Sequence, residues 1–387
     1  MGVKLGMYTS MGRTTCEGLP ASFDHIEEDA HTFAMWGIEF LKVDTCGLTL
    51  SQYFWPEPPY KKFHDQLKAV SPSLTFNVCN WGFHAPWKWE FRPDSWRTTM
   101  DIFPVWWRIL QIVDFSEPLY EYVTHGAYND WDMLECGVTG TFFNWEWTPA
   151  LRPLSPVECS SHFALWAFAL SPIVIGMDIS NTPQQYLDIV TDENVLGLHK
   201  GGAAGRRAAE ITEGFLFAPS VYFSGKVLGL LGFQDFPTIC LVGSCKYYEV
   251  WVKPMEEAEA GELAVLFFNR GGTLHNARGF AAFEDISIQQ KAIGFSPVDK
   301  SCSSVKVRGI TGNVTVEERG AVKARSVPTK GTSIAVLSGE GCEFKQPLRR
   351  TKLDSNIVFF AFLICCWIIR LMRRRRRRHR NDKRKDD

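Results

Sequence analysis

The stretch DAHTFAMWGIEFLKVDTC, residues 29–46, is the clearest indication of the fold, because its pattern joins a helix to a buried strand. From Asp24 to Trp36, apolar residues are mixed with acidic ones in the pattern of a helix, and Gly37 is a typical helix end. Ile38 to Asp44 is a short apolar run of the kind that forms a buried strand. The run ends on a carboxylate, which is the first candidate functional group of the chain.

The alternation of helix and strand continues on both sides of this stretch. A second helix is predicted from Lys61 to Val70. Further strands are predicted at Val3 to Tyr8, Leu74 to Cys79, Met100 to Phe103, Asp130 to Leu134 and Pro172 to Met177. Strands that alternate with helices indicate parallel βαβ units. From about Gly205 the pattern changes to alternating stretches with Gly-rich turns, which predicts an antiparallel β domain.

The composition is that of a globular protein with an uneven charge distribution. The 387 residues suffice for one large domain and a smaller one, with 45% apolar and 22% charged residues. Residues 370–387 hold eleven Lys or Arg and three Asp, which gives this segment a charge of +8. Because the net charge of the chain is −1, residues 1–369 carry a charge of −9. An acidic body outside the cytosol with a basic cytoplasmic tail fits this division. A tail that binds nucleic acid is the competing interpretation.

Two carboxylates on separate segments suggest the chemistry. Asp44 ends the run FLKVD, and Asp101 lies in SWRTTMDIF, four residues after Arg97. Glycoside hydrolysis needs such a pair, one carboxylate to attack the anomeric carbon and one to protonate the leaving oxygen. A lone Asp at a strand end is more often a cap or turn residue, so the surrounding segments must decide.

Those segments resemble glycoside hydrolase family 27, which contains α-galactosidases and α-N-acetylgalactosaminidases. The most specific part is GxKLGxY, followed by a Cys and then by KxDxC. The matching stretches are GVKLGMYTSMGRTTCEGLPASF, DAHTFAMWGIEFLKVDTC, NVCNWG, SWRTTMDI, YNDWDML, HFALWAFALSPIVIGMDI and VLGLHKGGAAGR, with weaker ones at EVWVKP, LAVLFFNRGG and VPTKGTSIAVL. The resemblance implies an α/β fold: a (β/α)8 TIM barrel lacking its first strands over residues 1–204, then an antiparallel β-sandwich domain over residues 205–345.

The resemblance also implies roles for individual residues. Asp44 would be the nucleophile and Asp101 the acid/base of a retaining enzyme. Substrate contacts are implied for Tyr8, Lys42, Asn80, Phe83 and Arg97, with a purely stabilising ion pair to Asp101 as the alternative for Arg97. Cys16 and Cys46 match a disulfide of the family, which implies an oxidising compartment. No metal or organic cofactor is expected, because two carboxylates perform the whole displacement.

Four other polar residues have less direct interpretations. Asp130 and Asp132 match family positions near the barrel mouth and are expected to bond loop backbone. His84 is expected to be a packed histidine whose hydrogen bonds are satisfied. Asn313, in the sequence Asn-Val-Thr, is a candidate glycosylation site.

The beginning of the chain resembles the third strand of the family barrel. In the family, the first two strands bring a Trp and a pair of Asp residues that bind sugar hydroxyls. We expect that the sequence comes from an incomplete gene prediction, because the downstream site positions are retained. A degenerate copy is the alternative.

Residues 346–387 fall outside the resemblance. A linker is predicted at 346–355, a transmembrane helix at 356–372 and a basic cytoplasmic tail at 373–387. The apolar run Ile357 to Ile369 is shorter than the ~20 residues of a usual span, so a buried helix and a frame-shifted translation are alternatives. Lys383 and Lys385 resemble a dilysine retrieval signal. These features predict a type I membrane protein of the secretory pathway or a lysosome-like lumen, with ER–Golgi retrieval.

The function expected is hydrolysis of terminal α-linked galactose from glycoconjugates or oligosaccharides. An α-N-acetylgalactosaminidase and an inactive, membrane-anchored sugar-binding homologue are alternatives. Asn80 and Phe83 favour galactose by resemblance, because family members that prefer galactose fill the space beside the sugar 2-position at these places, whereas members that accept N-acetylgalactosamine have small residues there. The expected partners are a carbohydrate with terminal α-galactose, a membrane and a second copy of the chain. Nucleic acid is not expected, because the Arg tract lacks interleaved aromatics and a folded basic module.

Overall fold

Five parallel strands form the sheet that carries the candidate site. The strands β1 to β5 lie side by side in chain order and are Gly6–Ser10, Phe40–Asp44, Thr75–Cys79, Ser95–Arg97 and Tyr128–Asp130. This computed structural model describes residues 2–138, 153–200, 203–217, 239–255, 262–271, 283–289, 295–297, 305–317, 321–339 and 342–344. In the register of the sheet, Ser10 pairs with Asp44 and Asp44 with Cys79, so the carboxyl ends of the first three strands are level.

Two helices cover one face of this sheet. They are α1 (Ile26–Met35) and α3 (Glu57–Val70), with the short α2 (Leu50–Phe54) between them. The apolar core beneath the helices includes Ile26, Ala30, Phe33, Tyr60, Phe63 and Leu67 from α1 and α3, and Leu41, Val43, Phe76 and Val78 from β2 and β3. Each large apolar side chain that is fully buried contributes ~1.5–3 kcal/mol, so this layer holds the strand ends in place.

The fourth strand differs from the prediction. Met100 to Phe103 was predicted as a strand, but this prediction is wrong, because the strand is Ser95–Arg97. Ile102 is buried in the following loop, and its backbone N–H donates to Oδ2 of Asp132 at 2.9 Å instead of to a neighbouring strand. Local hydropathy therefore located a buried loop residue and not the strand.

The later strands are also shorter than predicted. Asp130 to Leu134 was predicted as a strand, and the observed one, Tyr128–Asp130, ends before Asp132. Asp132 has a φ of +77°, in the left-handed region that interrupts extended backbone. Within the predicted strand Pro172 to Met177, Ile175 makes an isolated parallel bridge to Leu134.

Four further helices follow among the residues that the structure describes in this part of the chain. They are α4 (Trp106–Ser116), α5 (Pro156–Ala169), α6 (Gln184–Val190) and α7 (Glu193–His199). Helix α5 begins with a capping box in which the side chains of Ser155 and Glu158 each accept the other residue's backbone N–H. A disulfide between Cys136 and Cys159 joins α5 to the segment after β5.

An antiparallel β domain follows, as predicted. Its larger sheet has the order β11-β14-β8-β7-β6 and its smaller sheet the order β12-β13-β9, with β10 paired to β15. The strands β6 to β15 are Arg206–Phe217, Ile239–Pro254, Leu263–Asn269, Phe283–Gln289, Phe295–Pro297, Lys306–Thr311, Asn313–Val316, Ala321–Pro328, Thr332–Ser338 and Cys342–Phe344. Both sheets contribute to one core that includes Val250, Phe267 and Val322. Asn313, the candidate glycosylation site, is exposed at the start of β12.

The barrel region and the β domain share a second apolar core. Trp131 packs edge to face on Trp166 of α5 at 5.2 Å and on Trp251 of β7 at 6.4 Å. Beside these rings, the buried carboxylate of Glu249 pairs with Arg270 at 2.5 Å and with Arg207 at 3.1 Å. Burial makes these charges dependent on one another, because an unpaired charge in the interior is costly.

The predicted C-terminal features lie outside the described residues. These are the linker at 346–355, the transmembrane segment at 356–372 and the tail at 373–387. Among the residues that the structure does describe, no helix has both the length and the apolar character to cross a bilayer. The membrane anchor and the retrieval signal therefore stay predictions.

Candidate active site

The carboxyl edge of the parallel sheet collects buried polar groups. Asp44, Cys79, Arg97 and Asp130 are the last residues of β2, β3, β4 and β5. All four are buried. In (β/α)8 barrels the catalytic groups lie at this edge of the strands. The edge is therefore the place where the predicted residues can act together.

Asp44, the predicted nucleophile, is held by two hydrogen bonds. The Tyr8 hydroxyl lies 3.2 Å from Oδ2 and donates to it, and the Thr45 backbone N–H donates to Oδ1 at 2.8 Å. Asp44 is 8% exposed. Burial and the charge of Asp44 raise the pKa of Tyr8 to about 12, so the phenol keeps its proton and remains a donor at neutral pH.

The disulfide between Cys16 and Cys46 confirms the pairing that the resemblance implied. The bond lies against the nucleophile, since Sγ of Cys16 is 3.5 Å from Oδ2 of Asp44. Cys16, Asp44 and Cys46 have the spacing of a metal site, but the sulfurs are bonded to each other and offer no thiolate. The disulfide therefore shapes one wall around Asp44.

Lys42 lies two residues before Asp44 on the same strand. Its Nζ is 6.0 Å from the centre of the Tyr8 ring. Burial by itself lowers the pKa of Lys42, but the neighbouring Cys79, Asp132 and Asp44 more than offset it, so the pKa is above its usual value. The ammonium group is therefore charged near neutral pH and adds a positive charge close to Asp44.

Asp101, the predicted acid/base, lies in the loop after β4. Its side chain is 58% exposed. The indole N–H of Trp81 donates to Oδ1 at 3.0 Å, and Nη2 of Arg97 donates to the same oxygen at 3.2 Å. The backbone carbonyl of Asp101 accepts a hydrogen bond from Nε of Arg108 at 2.9 Å. The carboxyl group thus faces solvent while its backbone and one oxygen are fixed.

Arg97 pairs with two carboxylates. Its Nη2 lies 2.6 Å from Oδ2 of Asp132 and 3.2 Å from Oδ1 of Asp101. Burial by itself lowers the pKa of Arg97, but the charge of Asp132 and the smaller effects of Cys79, Asp130 and Asp101 raise it above its usual value. The pairing with Asp101 was the alternative weighed for Arg97, and the ion pair with Asp132 was not predicted.

Asn80, a predicted substrate contact, is buried and bonds within its own loop. It is 1% exposed, its Nδ2 donates to the carbonyl of Phe83 at 2.5 Å, and its Oδ1 accepts the N–H of Gly82 at 3.2 Å. Each polar atom of Asn80 thus makes one hydrogen bond within the loop and keeps one further N–H or lone pair, and the contact of Asn80 with the sugar stays a prediction. Phe83 is partly exposed and packs 6.3 Å from the ring of Trp81.

The residues that were expected to be structural bond as predicted. Asp130 accepts the Asp132 backbone N–H at 2.8 Å and the amide of Asn77 at 2.9 Å. Burial raises the pKa of Asp130. Asp132 accepts the backbone N–H of Met133 at 2.9 Å. His84 is exposed and not packed, but its Nε2 bonds the carbonyl of Tyr53 at 3.1 Å.

Sequence reasoning missed two features of this region. Trp81 lies in the quoted stretch NVCNWG, but no local signal indicates that its indole reaches a carboxylate twenty residues later. The pairing of Cys136 with Cys159 could not be derived, because cysteine spacing alone does not determine connectivity.

Cys79 is a buried free thiol, and burial raises its pKa to about 12.

A cavity of about 720 Å³ lies at the opposite edge of the sheet. Its lining includes Phe40, Thr75 and Ser95, which begin β2, β3 and β4, and it does not include Asp44 or Asp101. This cavity therefore lies apart from the two candidate carboxylates. The placement of the two carboxylates points to the carboxyl edge.

Comparison with known proteins gives the same family over the barrel region. The profile of the family described as Alpha galactosidase A matches residues 1–201 of the 387. Alpha-galactosidase A of Cellvibrio japonicus is 30% identical over 281 residues, which are 70% of this chain and 57% of that protein. The alpha-galactosidase of Oryza sativa subsp. japonica is 33% identical over 213 residues, 53% of this chain and 46% of that protein. The chain thus spans about half the length of these curated relatives.

Solved structures agree in fold. The crystal structure of alpha-galactosidase I from Mortierella vinacea matches with a TM-score of 0.64 at 20% identity, over 88% of this chain and 78% of that one. At this identity the likeness concerns the fold alone. It supports the assignment of the five parallel strands to part of a TIM barrel and of the following strands to its C-terminal β domain.

Proposed function

This chain belongs to the alpha galactosidase A family, and on that premise we propose that the protein is a retaining exo-glycosidase that removes terminal α-linked galactose. The observation that carries the proposal is the placement of Asp44 and Asp101. The first ends β2 and the second follows β4, and each side chain is held by its own donors at the carboxyl edge of one sheet. Retaining glycosidases use two carboxylates ~5–5.5 Å apart.

In the first step, an oxygen of Asp44 attacks the anomeric carbon. The bond between that carbon and the glycosidic oxygen breaks, and the leaving oxygen takes the proton of Asp101. The products are a glycosyl ester on Asp44 and the free aglycone. The burial of Asp44 suits this role, because a nucleophile that is shielded from water and fixed by Tyr8 and Thr45 needs little reorganisation.

In the second step, water attacks the anomeric carbon of the ester. Asp101, now a carboxylate, takes a proton from the water, and Asp44 leaves as a carboxylate. Two inversions at the same carbon return the sugar in its original α configuration. The exposure of Asp101 suits this role, because the group must meet both the aglycone and the incoming water.

Three neighbouring residues support the two carboxylates. Tyr8 donates to Asp44 and is kept protonated by its raised pKa. Lys42 supplies a positive charge near the nucleophile. Arg97 bonds Asp101 through the same nitrogen that pairs with Asp132. No step of this mechanism needs a further reagent besides water.

Hydrolysis of p-nitrophenyl α-galactoside by the full-length protein tests the proposal. Asp44→Asn should lower kcat by at least ~10³-fold, because an amide cannot replace the carboxylate that forms the ester. Asp101→Ala should lower kcat/KM ~10²–10⁴-fold for poor leaving groups and much less for activated ones. Asp65→Asn, the same chemical change at an exposed carboxylate of α3, is the matched control and should keep full activity.

Azide separates the two roles. With Asp44→Ala, azide should attack the α-substrate directly and give the β-galactosyl azide. With Asp101→Ala, azide should attack the glycosyl ester and give the α-galactosyl azide. The same azide from both variants, or full turnover by Asp44→Asn, would show that the roles are assigned wrongly.

A further inference from the structure

Two donors converge on one oxygen of Asp101. The indole N–H of Trp81 is 3.0 Å from Oδ1, and Nη2 of Arg97 is 3.2 Å from it. Within the described ranges, no protein hydrogen bond is found on Oδ2. The carboxyl group therefore has one oxygen fixed as an acceptor and the other turned to the open side of the site.

The backbone that carries Trp81 is in an unfavourable conformation. Trp81 has a φ of +58° and the next residue, Gly82, a φ of +78°, and the left-handed region is uncommon for a bulky side chain. Such outliers are strained and persist only where surrounding contacts hold them. The strained conformation of this loop therefore suggests that the position it gives to the Trp81 side chain matters for function.

The surrounding contacts lock this turn onto the segment after β4. The side chain of Asn80 bonds the carbonyl of Phe83 and the N–H of Gly82. Gly82 packs so closely on the carbonyl of Thr98 that a Cβ there would lie 2.2 Å from the oxygen. The turn therefore lies against the chain three residues before Asp101, and this brings the indole N–H to the carboxyl group.

We propose that Trp81 is a positioning residue for the acid/base Asp101, and this rests on the proposed glycosidase function. Trp81 and Arg97 together occupy Oδ1 as an acceptor, so the proton that is transferred resides on Oδ2. The same two contacts orient Oδ2 toward the glycosidic oxygen. Loss of the indole N–H lets the carboxyl group rotate, and proton transfer then becomes less efficient.

The test compares Trp81→Phe with Trp89→Phe in the full-length protein. Trp89 belongs to the same loop region and also donates its indole N–H, but to the carbonyl of His84 at 3.1 Å. Phenyl α-galactoside needs a proton on its leaving group, and a dinitrophenyl α-galactoside does not. Trp81→Phe should lower kcat/KM about tenfold on the phenyl substrate and less than about twofold on the dinitrophenyl one.

The control variant Trp89→Phe should lower kcat/KM by the same factor on both substrates, because the hydrogen bond that it removes does not involve Asp101. If Trp81→Phe also lowers kcat/KM equally on the two substrates, Trp81 is a structural residue and the proposal is overturned. If the unmodified protein cleaves neither substrate, the glycosidase function itself fails. Should Trp81→Phe not fold, benzothienylalanine at position 81 replaces only the N–H by sulfur and should give the same selective loss.

Discussion

Nη2 of Arg97 lies 2.6 Å from Oδ2 of Asp132, and this ion pair joins the end of β4 to the segment after β5. The side chains are 2% and 6% exposed, so water contributes little to stabilising either charge. Oδ2 of Asp132 also accepts the N–H of Ile102, the residue next to Asp101. The pair therefore determines where the loop with the acid/base lies.

Arg97→Met should destabilise the protein strongly. It keeps the length of the side chain but leaves the carboxylate of Asp132 buried without its cation, and breaking such a pair costs about 3–5 kcal/mol. The free energy of unfolding in urea is the measurement. Arg13→Met, which removes an exposed pair with Asp24, should cost less than about 1 kcal/mol. Equal effects of the two changes would mean that the Arg97 pair contributes no more than a surface pair.

Glu135 should make the stability of the protein fall as the pH rises. Burial and the charge of Asp132 raise the pKa of Glu135 to about 7, from an ordinary value of 4.5. Between these values the folded state binds more protons than the unfolded state, so the stabilisation is complete below 4.5 and is lost as the pH rises through 7.

Thermal unfolding of Glu135→Gln between pH 4.5 and 8 measures this contribution. The variant should lose the part of the pH dependence that falls in this window. Glu27→Gln, at an exposed position of α1, should keep the profile of the unmodified protein. A profile of Glu135→Gln that follows the unmodified protein would contradict the prediction.

The two disulfides should have separable effects. Replacing Cys136 and Cys159 by Ser removes a buried link across 23 residues and should cost about 3 kcal/mol of unfolding free energy, with kcat nearly unchanged. Replacing Cys16 and Cys46 by Ser should also lower kcat, because Cys16 lies against Asp44. Unfolding curves and initial rates measured on the same samples test this prediction. A fall in kcat after replacement of Cys136 and Cys159 would show that the effects of the two disulfides are not separable.

Phe83→Ala should shift specificity toward N-acetylgalactosaminides. Phe83 is partly exposed beside Trp81, and its removal frees room for an acetamide group. A packed site resists even small additions by about 1–3 kcal/mol, so the ratio of kcat/KM for the two substrates should change about tenfold or more. Asn80→Ser should instead lower activity on both substrates, because it loosens the turn. A specificity change in Asn80→Ser without loss of activity would contradict the role given to Asn80.

The pattern of apolar and polar residues predicted much of the fold. The alternation around residues 29–46 predicted the first parallel strands, and α1 and α3 fill the predicted helices. The strand at Met100 to Phe103 was predicted wrongly, because a buried loop residue such as Ile102 has the hydropathy of a strand residue. A short apolar run indicates that its residues are buried, but residues are buried both in strands and in loops that pack against other side chains.

The candidate carboxylates could be named from the sequence, and its resemblance to a family implied one disulfide. Asp44 ends a buried strand, and Asp101, Cys16 and Cys46 stand in stretches whose spacing indicates the family. Which of these side chains meet is visible only in the folded protein. Trp81 reaches Asp101 through a left-handed turn, and Arg97 reaches Asp132 through the pairing of β4 with β5. Such contacts depend on strand register and on rare backbone conformations, which many distant residues impose together and no short stretch of sequence specifies.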